Sequence, residues 1–437
     1  MKKLFALLLA LAMVFSLAAC AGGETKPTGD PTDAPEGTKG EEAKGSVYYL
    51  NFKPEFDTAL QQLAKDYTTA TGVEVKVVTA ASGTYSDTLT AEMGKENPPT
   101  IFNIGNLAGL ADWDEYALDL ADSAIAKELA TNDFNLYNED GALKAIGNCY
   151  ESFGIIVNVK LLKDAGYELS AIKDFASLKA AVEDIHARAA ELGFDAFTSA
   201  GLAPSSSWRF SGHLATIPLH YEGITGQVAT IKGDKLDLFK NVWDLYINNS
   251  ATAPADLTNE ALDAAAEFKA GKAVFYQNGT WEYSGLIEAG MKDEDIAMIP
   301  IYSGAENDGE EALCSGTENC WAVNAKVSEA DQKASIDLLV WLVSDEKAAA
   351  TYVEQLGAVP FKNAPASSNK FVADGNALLA DGKKTVSWAF NYTPNVDAWR
   401  ATVVTALAAY SAGTAEWSEV VTAFVDGWAY EYGVVNG

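Results

Sequence analysis

Gly271-Lys272-Ala273-Val274-Phe275-Tyr276-Gln277-Asn278-Gly279-Thr280-Trp281-Glu282-Tyr283 reads as a short strand, a turn, and a tryptophan opening a helix. The apolar run from Ala273 to Tyr276 suits a strand covered on both faces. Asn278-Gly279 breaks that strand and places Trp281 at its carboxyl end, the edge where ligands sit in open α/β sheets. Trp281 either fills core there or presents a flat ring, beside helix N-terminal N–H groups, to the apolar face and polar rim of a sugar.

Outward from this stretch the same grammar repeats. Val47 to Leu50, Val73 to Val78 and Thr100 to Asn103 read as strands. Between them lie a helix from Glu55 to Thr71, with Phe56, Leu60, Leu63 and Tyr67 on one face, and a short helix ending at Gly94. Leu178, Val182, Ile185, Ala189 and Leu192 mark an amphipathic helix that Gly193 stops. Phe194 to Ser199, Ile296 to Ile301 and Trp321 to Asn324 are expected as strands. Leu236 to Ile247, Leu257 to Ala270, Ala330 to Val343, Glu346 to Leu356, Pro394 to Tyr410 and Trp417 to Tyr430 are expected as helices. Strands alternating with helices predict parallel sheets in an α/β protein. No repeat of fixed period is present.

The balance of 31 Lys+Arg against 61 Asp+Glu, a net charge of −30, argues against a nucleic-acid groove or an anionic-lipid patch. The first 20 residues carry a separate signal: Lys2-Lys3, an apolar run from Leu4 to Leu17, then Leu17-Ala18-Ala19-Cys20. This reads as a secretory signal at 1–19, too short for a spanning helix. The Leu-Ala-Ala-Cys ending resembles the bacterial lipobox, which implies cleavage before Cys20 and a diacylglyceryl group on its sulfur. Residues 20–45, rich in Gly, Thr, Pro, Glu and Lys, are expected as a disordered tether. The chain from Ser46 onward is long enough for two or three domains at roughly 150 residues each.

Cys149, Cys314 and Cys320 remain. Cys314 and Cys320 are close enough in sequence to close a small loop by a disulfide, with Cys149 left as a buried thiol; their spacing matches no metal site. Gly-rich phosphate loops, His-Glu-x-x-His and Gly-x-Ser-x-Gly are missing, and His186, His213 and His220 form no helical metal pair. No cofactor and no catalytic residue is expected, although sequence alone places no pair of carboxylates for or against a glycosidase. Trp208, Trp281 and Trp399 fall at loop-to-helix junctions, where each serves either a ligand or packing, whereas Trp113 and Trp243 sit inside helical patterns and read as packing.

With these residues in view the chain, from about Ser46 to Gly437, resembles the extracellular solute-binding proteins of family 1, in particular the maltose-binding-protein branch. Gly271 through Trp281 is similar to that branch's Gly-to-Asn-Gly-Pro-Trp segment, with Thr280 in place of the proline. Tyr150-Glu151-Ser152 through Asn158 resembles an inter-lobe crossing whose glutamate bonds the ligand. Trp399, ahead of Ser411 and Gly413, matches a second stacking tryptophan. Asn51 matches the asparagine after the first strand, and Lys53 is a looser match to a binding lysine. Leu356-Gly357-Ala358-Val359-Pro360 looks like the last crossing. Two departures stand out: Ile104-Gly105-Asn106 lacks the relatives' tryptophan and aspartate, and Ala203 to Arg209 lacks their tyrosine, with Trp208 as an approximate substitute.

The resemblance implies two α/β lobes of the periplasmic-binding-protein type (class II): residues 46–150 plus about 299–360, and 151–298 plus about 361–437. It implies a monomeric receptor, lipid-anchored outside the cytoplasmic membrane, that binds a carbohydrate, expected to be an oligosaccharide, and delivers it to an ABC importer permease. Trp281, Trp399, Glu151, Asn51, Lys53 and Trp208 are the expected ligand contacts, completed by Asn106 and Tyr85 from neighbouring loops. A lipid-anchored carbohydrate-active enzyme and a receptor for a non-sugar polar solute are the alternatives.

Overall fold

The computed structural model describes residues 44–132, 134–318 and 320–436. The expected signal peptide, Cys20 and the tether up to residue 43 lie outside the described residues. No helix among the described residues is long and apolar enough to cross a membrane.

β1 (Ser46–Asn51), β2 (Glu74–Thr79), β3 (Ile101–Ile104), β4 (Leu136–Tyr137) and β5 (Leu143–Gly147) build a first sheet. The chain then leaves it for β6 (Glu151–Asn158), β7 (Asp195–Phe197), β8 (Ala273–Gly279), β9 (Ile296–Ile299) and β10 (Glu311–Gly316) of a second. It returns to the first for β11 (Cys320–Val323) and to the second for β12 (Lys384–Ser387). The strand orders are β2-β1-β3-β11-β5-β4 and β12-β10-β6-β8-β7, with β9 also pairing β6.

Period-two alternation explains why each sheet is sandwiched by helices. In β1, Tyr49 faces one core and Leu50 the other; Ile101 and Phe102 in β3, and Trp321 and Ala322 in β11, divide in the same way. The Tyr49 side is covered by helices Asp57–Thr71, Glu329–Ser344 and Glu346–Leu356, and there Trp321 Nε1 donates to the Tyr49 hydroxyl at 2.6 Å. In β6, Phe153, Ile155 and Val157 face the larger core of the second lobe, whereas Ile156 faces a smaller one. Helices Phe175–Ala187, Leu236–Asn248, Val396–Ser411 and Trp417–Asn436 close the larger core with Val182, Trp243, Val403 and Phe424. Each such side chain removed from water contributes about 1.5–3 kcal/mol.

Parallel pairing holds for β1 with β2 and β3, for β7 with β8 and for β10 with β12, whereas β11 pairs β3 and β6 pairs β8 antiparallel. β6 takes β8 along one side, while β10 and β9 share the other: Phe153 faces Cys314 and Ile155 faces Ile299. This corrects the expected return to the first lobe near residue 299. β9 and β10 are needed to pair the backbone of β6, whose groups would otherwise be buried without partners, and the return comes only at Cys320. The same topology overturns the disulfide. Cys314 lies on β10 and Cys320 on β11, in different sheets, and Cys149, Cys314 and Cys320 are all free buried thiols. The β4–β5 hairpin, β10, β12 and helix Lys370–Ala380 were not anticipated from sequence.

Gly154 sits where β6 passes between β10 and β9, and a Cβ there would stand 2.3 Å from the Ile299 carbonyl oxygen. A backbone oxygen held in a ladder cannot move aside cheaply. Gly154→Ala is expected to lower stability by about 1–3 kcal/mol in urea titration. Gly226→Ala, where a Cβ meets nothing within 4 Å, is the matched control and should leave the midpoint unchanged.

Candidate functional site

β8 is buried along its whole length, as its apolar run requires, and its end carries the first half of the site. A Cβ on Gly279 would lie 2.2 Å from the Trp281 ring, so only glycine lets that indole fold back over the strand end. The N–H of Thr280 donates to the Ser152 carbonyl at 2.8 Å, a bond that the proline of the resembling segment has no hydrogen to make. Asn369 Nδ2 donates to the Thr280 carbonyl at 2.8 Å and ties the turn down from the other side.

Trp281 is half-buried, and Trp208 stands 6.0 Å from it, its Nε1 donating to the Ser205 carbonyl at 2.9 Å. Beneath both lies His213, 5.3 Å from Trp281 and edge-on to Trp208 at 4.9 Å. The π-helical segment Arg209–Leu214 presents this ring, and Phe153 stacks on it at 3.8 Å. Burial, reinforced by Arg400 and Arg209, pushes the imidazole well below its ordinary value. His213 is therefore neutral, and Nδ1, 3.2 Å from the Gln277 amide nitrogen, is its accepting atom. Arg209 holds the platform together by donating to the Gln277 and Ser199 carbonyls at 3.2 and 3.1 Å.

The first lobe supplies the polar half from its strand ends. Asn51 Nδ2 donates to the Lys53 carbonyl at 2.7 Å and to Thr79 Oγ1 at 3.1 Å, while Asn51 Oδ1 accepts from the Lys53 N–H. That turn carries the Lys53 ammonium to Glu151 Oε1 at 2.6 Å, with Glu55 Oε1 at 3.3 Å. Burial alone would lower Lys53, but the Glu151 and Glu55 carboxylates outweigh it and hold the ammonium above its ordinary value. Burial pushes Glu151 upward, and Lys53 only partly offsets that. The contact is an ion pair, because a separation this short favours the charged form of both groups.

The expected contacts thus divide. Trp208 and Trp281 come together on one lobe, and Asn51, Lys53 and Glu151 come together at the crossing. Trp399 does not join them. It is fully buried, edge-on to Phe424 at 4.6 Å and to Trp428 at 6.0 Å, and its Nε1 donates to the Phe424 carbonyl, so no ring face is left for a ligand. Asn106 and Tyr85 serve the scaffold. Asn106 Oδ1 caps the helix Leu107–Trp113 through the Gly109 N–H at 2.8 Å. The Tyr85 hydroxyl accepts from the Asn103 N–H at 2.6 Å and donates to the Leu50 carbonyl at 3.3 Å.

Several groups around the site had no clear sequence signal. Asn103 Oδ1, Asn148 Oδ1, Gln277 Oε1, Asn391 Oδ1 and Arg400 Nε are buried without a hydrogen-bond partner. Asn103 lies on β3 near its carboxyl end, Asn148 comes directly after β5, and Gln277 touches His213 under the tryptophans. Each orphaned group costs about 1–3 kcal/mol until something pairs it, and a ligand rich in hydroxyl groups can both donate and accept.

Removal of Lys53 tests the ion pair. Lys53→Met leaves Glu151 charged and buried, an expected loss of about 3–5 kcal/mol, whereas Lys53→Met/Glu151→Leu should recover most of it. Urea denaturation of the two singles and the double closes the cycle. Additive losses would show that the two groups act independently.

The sequence profile of bacterial extracellular solute-binding proteins matches residues 62–380. No curated protein sequence matches the chain. Among solved structures it is similar to a chitin oligosaccharide binding protein, at 16% identity and a TM-score of 0.67 over 90% of this chain and 99% of that one. It is also similar to the GacH receptor of Streptomyces glaucescens, solved unliganded and with acarbose, at 18% identity and a TM-score of 0.67 over 90% and 99%. The RafE solute-binding protein in complex with raffinose gives 14% identity and a TM-score of 0.66 over 88% and 99%. At such identities the likeness is one of fold, and it agrees with two α/β lobes joined by crossings. The profile match spans most of the chain, and the protein belongs to the bacterial extracellular solute-binding protein family.

Proposed function

We propose that the protein is the substrate-binding receptor of an ABC importer, capturing a carbohydrate, expected to be an oligosaccharide, between its lobes and passing it to a membrane permease. The observation that carries this reading is the half-exposed Trp208–Trp281 pair at the end of β8, set in the same molecule as the polar strand ends of the other lobe. Indole faces bury the C–H surface of a pyranose, and Asn103, Asn148 and Gln277 supply acceptors for its hydroxyls. The ligands of the similar structures, a chitin oligosaccharide, acarbose and raffinose, support the class without naming the sugar. Capture by hinge closure requires no bond cleavage.

The test is thermal stability and tryptophan fluorescence of the purified chain, titrated with malto-, xylo-, galacto- and fructo-oligosaccharides. Ligand at a hundred times its dissociation constant should stabilise by about 2.7 kcal/mol, and the sugar should be recovered intact. Cleaved sugar would point instead to a carbohydrate-active enzyme, and silence across the panel to a non-sugar solute. Trp281→Ala should weaken the best ligand at least tenfold, about 1.4 kcal/mol. Unchanged affinity in the folded variant would remove Trp281 from the site.

Cys20 completes the proposal as the lipidated residue that holds the receptor on the outer face of the cytoplasmic membrane. Cys20→Ser should move the protein from the membrane fraction to the medium, and the mature N-terminus of the parent should carry the mass of a diacylglyceryl group. Membrane retention of Cys20→Ser would refute the anchor.

A further inference from the structure

The chain passes between its two lobes from β5 to β6, from β10 to β11, and from Phe361 in the first lobe's core to the helix Lys370–Ala380, whose Phe371 lies in the smaller core of the second. Each passage carries a polar residue at its second-lobe end. Ser152 is the second residue of β6, Ser315 the last but one of β10, and Asn369 caps the helix by accepting from the Phe371 N–H at 2.9 Å. These three meet at Thr280, the buried residue just before Trp281. The Ser152 N–H donates to Thr280 Oγ1 at 3.3 Å, Asn369 Nδ2 donates to the Thr280 carbonyl, and Ser315 reaches the same point through a hydroxyl–hydroxyl bond of 2.7 Å to Ser152. On the first-lobe side the Tyr150 N–H donates to the Ala358 carbonyl at 3.0 Å, which ties the first and third passages together.

Strand register explains why Thr280 can serve all of them. β6 and β8 run antiparallel with Phe153 opposite Gly279, so the next pair is Ser152 opposite Thr280. In an unbroken ladder such a pair exchanges two backbone bonds. One is made, from the Thr280 N–H to the Ser152 carbonyl. The other is diverted: the Thr280 hydroxyl accepts from the Ser152 N–H in place of the Thr280 carbonyl, and that carbonyl turns outward to Asn369. Alanine at this position would leave the Ser152 N–H without its acceptor, and proline would remove the N–H as well.

We propose that Thr280 is a positioning residue that couples the passages between the lobes to the Trp281 ring, so that a change of lobe angle changes how the ring is presented. The inference rests on the reading of the protein as a receptor whose lobes close on a ligand. Closure is absorbed where the chain passes between lobes. Each passage ends on a group bonded to Thr280 or to its partner Ser152, so displacement at any of them reaches the residue that sets the direction of Trp281. The coupling is reciprocal: a ligand that holds the ring in one orientation favours the lobe angle that goes with it.

The experiment incorporates 5-fluorotryptophan into the purified chain and follows the Trp281 fluorine resonance, identified by its loss in Trp281→Phe, without ligand. Ser315→Ala, Thr280→Val and the double variant form a cycle. Ser315→Ala should move the resonance in the parent but not in Thr280→Val, which keeps the side-chain shape and lacks the accepting oxygen; Thr280→Ser should restore the movement. Equal movement in both backgrounds would carry the coupling around Thr280, and no movement in either would show that these bonds only brace the fold; both results overturn the proposal. Asn369→Ser, which keeps a capping oxygen and loses the donor to Thr280, runs the same cycle from the third passage if Ser315→Ala does not fold. Titration with maltotriose, chitotriose and raffinose follows. Thr280→Val should weaken whichever sugar binds by about three- to tenfold, as expected for one neutral hydrogen bond, and Thr280→Ser should stay within about twofold of the parent. Unchanged affinity in folded Thr280→Val would also overturn the proposal. If the parent binds none of the three sugars, the saccharide reading loses its support, while the ligand-free cycle still decides the coupling.

Discussion

The 2.6 Å contact between the Lys53 ammonium and the Glu151 carboxylate lies where the chain leaves its first sheet and enters β6. Both side chains are buried, so each has lost water at a cost of several kcal/mol, and only close approach with further bonds offsets that loss. The further bonds are those of Asn51, which shapes the turn carrying Lys53, and of Glu55, which shares the ammonium. Shifting β6 by one residue would separate the charges and also turn Phe153, Ile155 and Val157 from the larger core toward the smaller one. Register, crossing and ion pair are therefore one constraint.

From β6 the constraint spreads into the second lobe. Phe153, the next core residue after Glu151, carries the stack of His213, and Trp388 lies on its ring at 5.3 Å. His213 in turn supports Trp208 and Trp281. The aromatic wall is thus positioned from the same strand that begins at the polar crossing. Small residues make the approach possible: Gly279 under Trp281, and Gly316 under Trp388, where a Cβ would stand 2.6 Å from the ring.

Much of this was legible in sequence where the signal is local. The apolar run of β8 ends at a breaker, and the helix carrying Leu178 and Ile185 and the last two helices follow a period of 3.6, signals that a short window displays. The half-buried tryptophan at Gly279-Thr280-Trp281 was legible because a turn signal marks the strand end. The β4–β5 hairpin and β10 were not, since β4 is only a two-residue strand and β10 exists to pair β6, whose identity as a partner no window contains. The return of the chain at Cys320 rather than near residue 299 is the same failure seen from the other side.

The sequence by itself determined an alternating α/β chain and a tryptophan placed at a strand end, because backbone propensity and side-chain period act over a few residues. Tertiary structure alone decided which aromatic rings keep a free face. Trp399 and Trp281 look alike in sequence, yet Trp399 is enclosed by Phe424 and Trp428 from the last helix, while Trp281, folded over Gly279 beside Trp208 and His213, remains half-buried. The separation of Cys314 from Cys320 was decided in the same way. Exposure and pairing are set by contacts between residues far apart in the chain, and those contacts exist only once both sheets have formed.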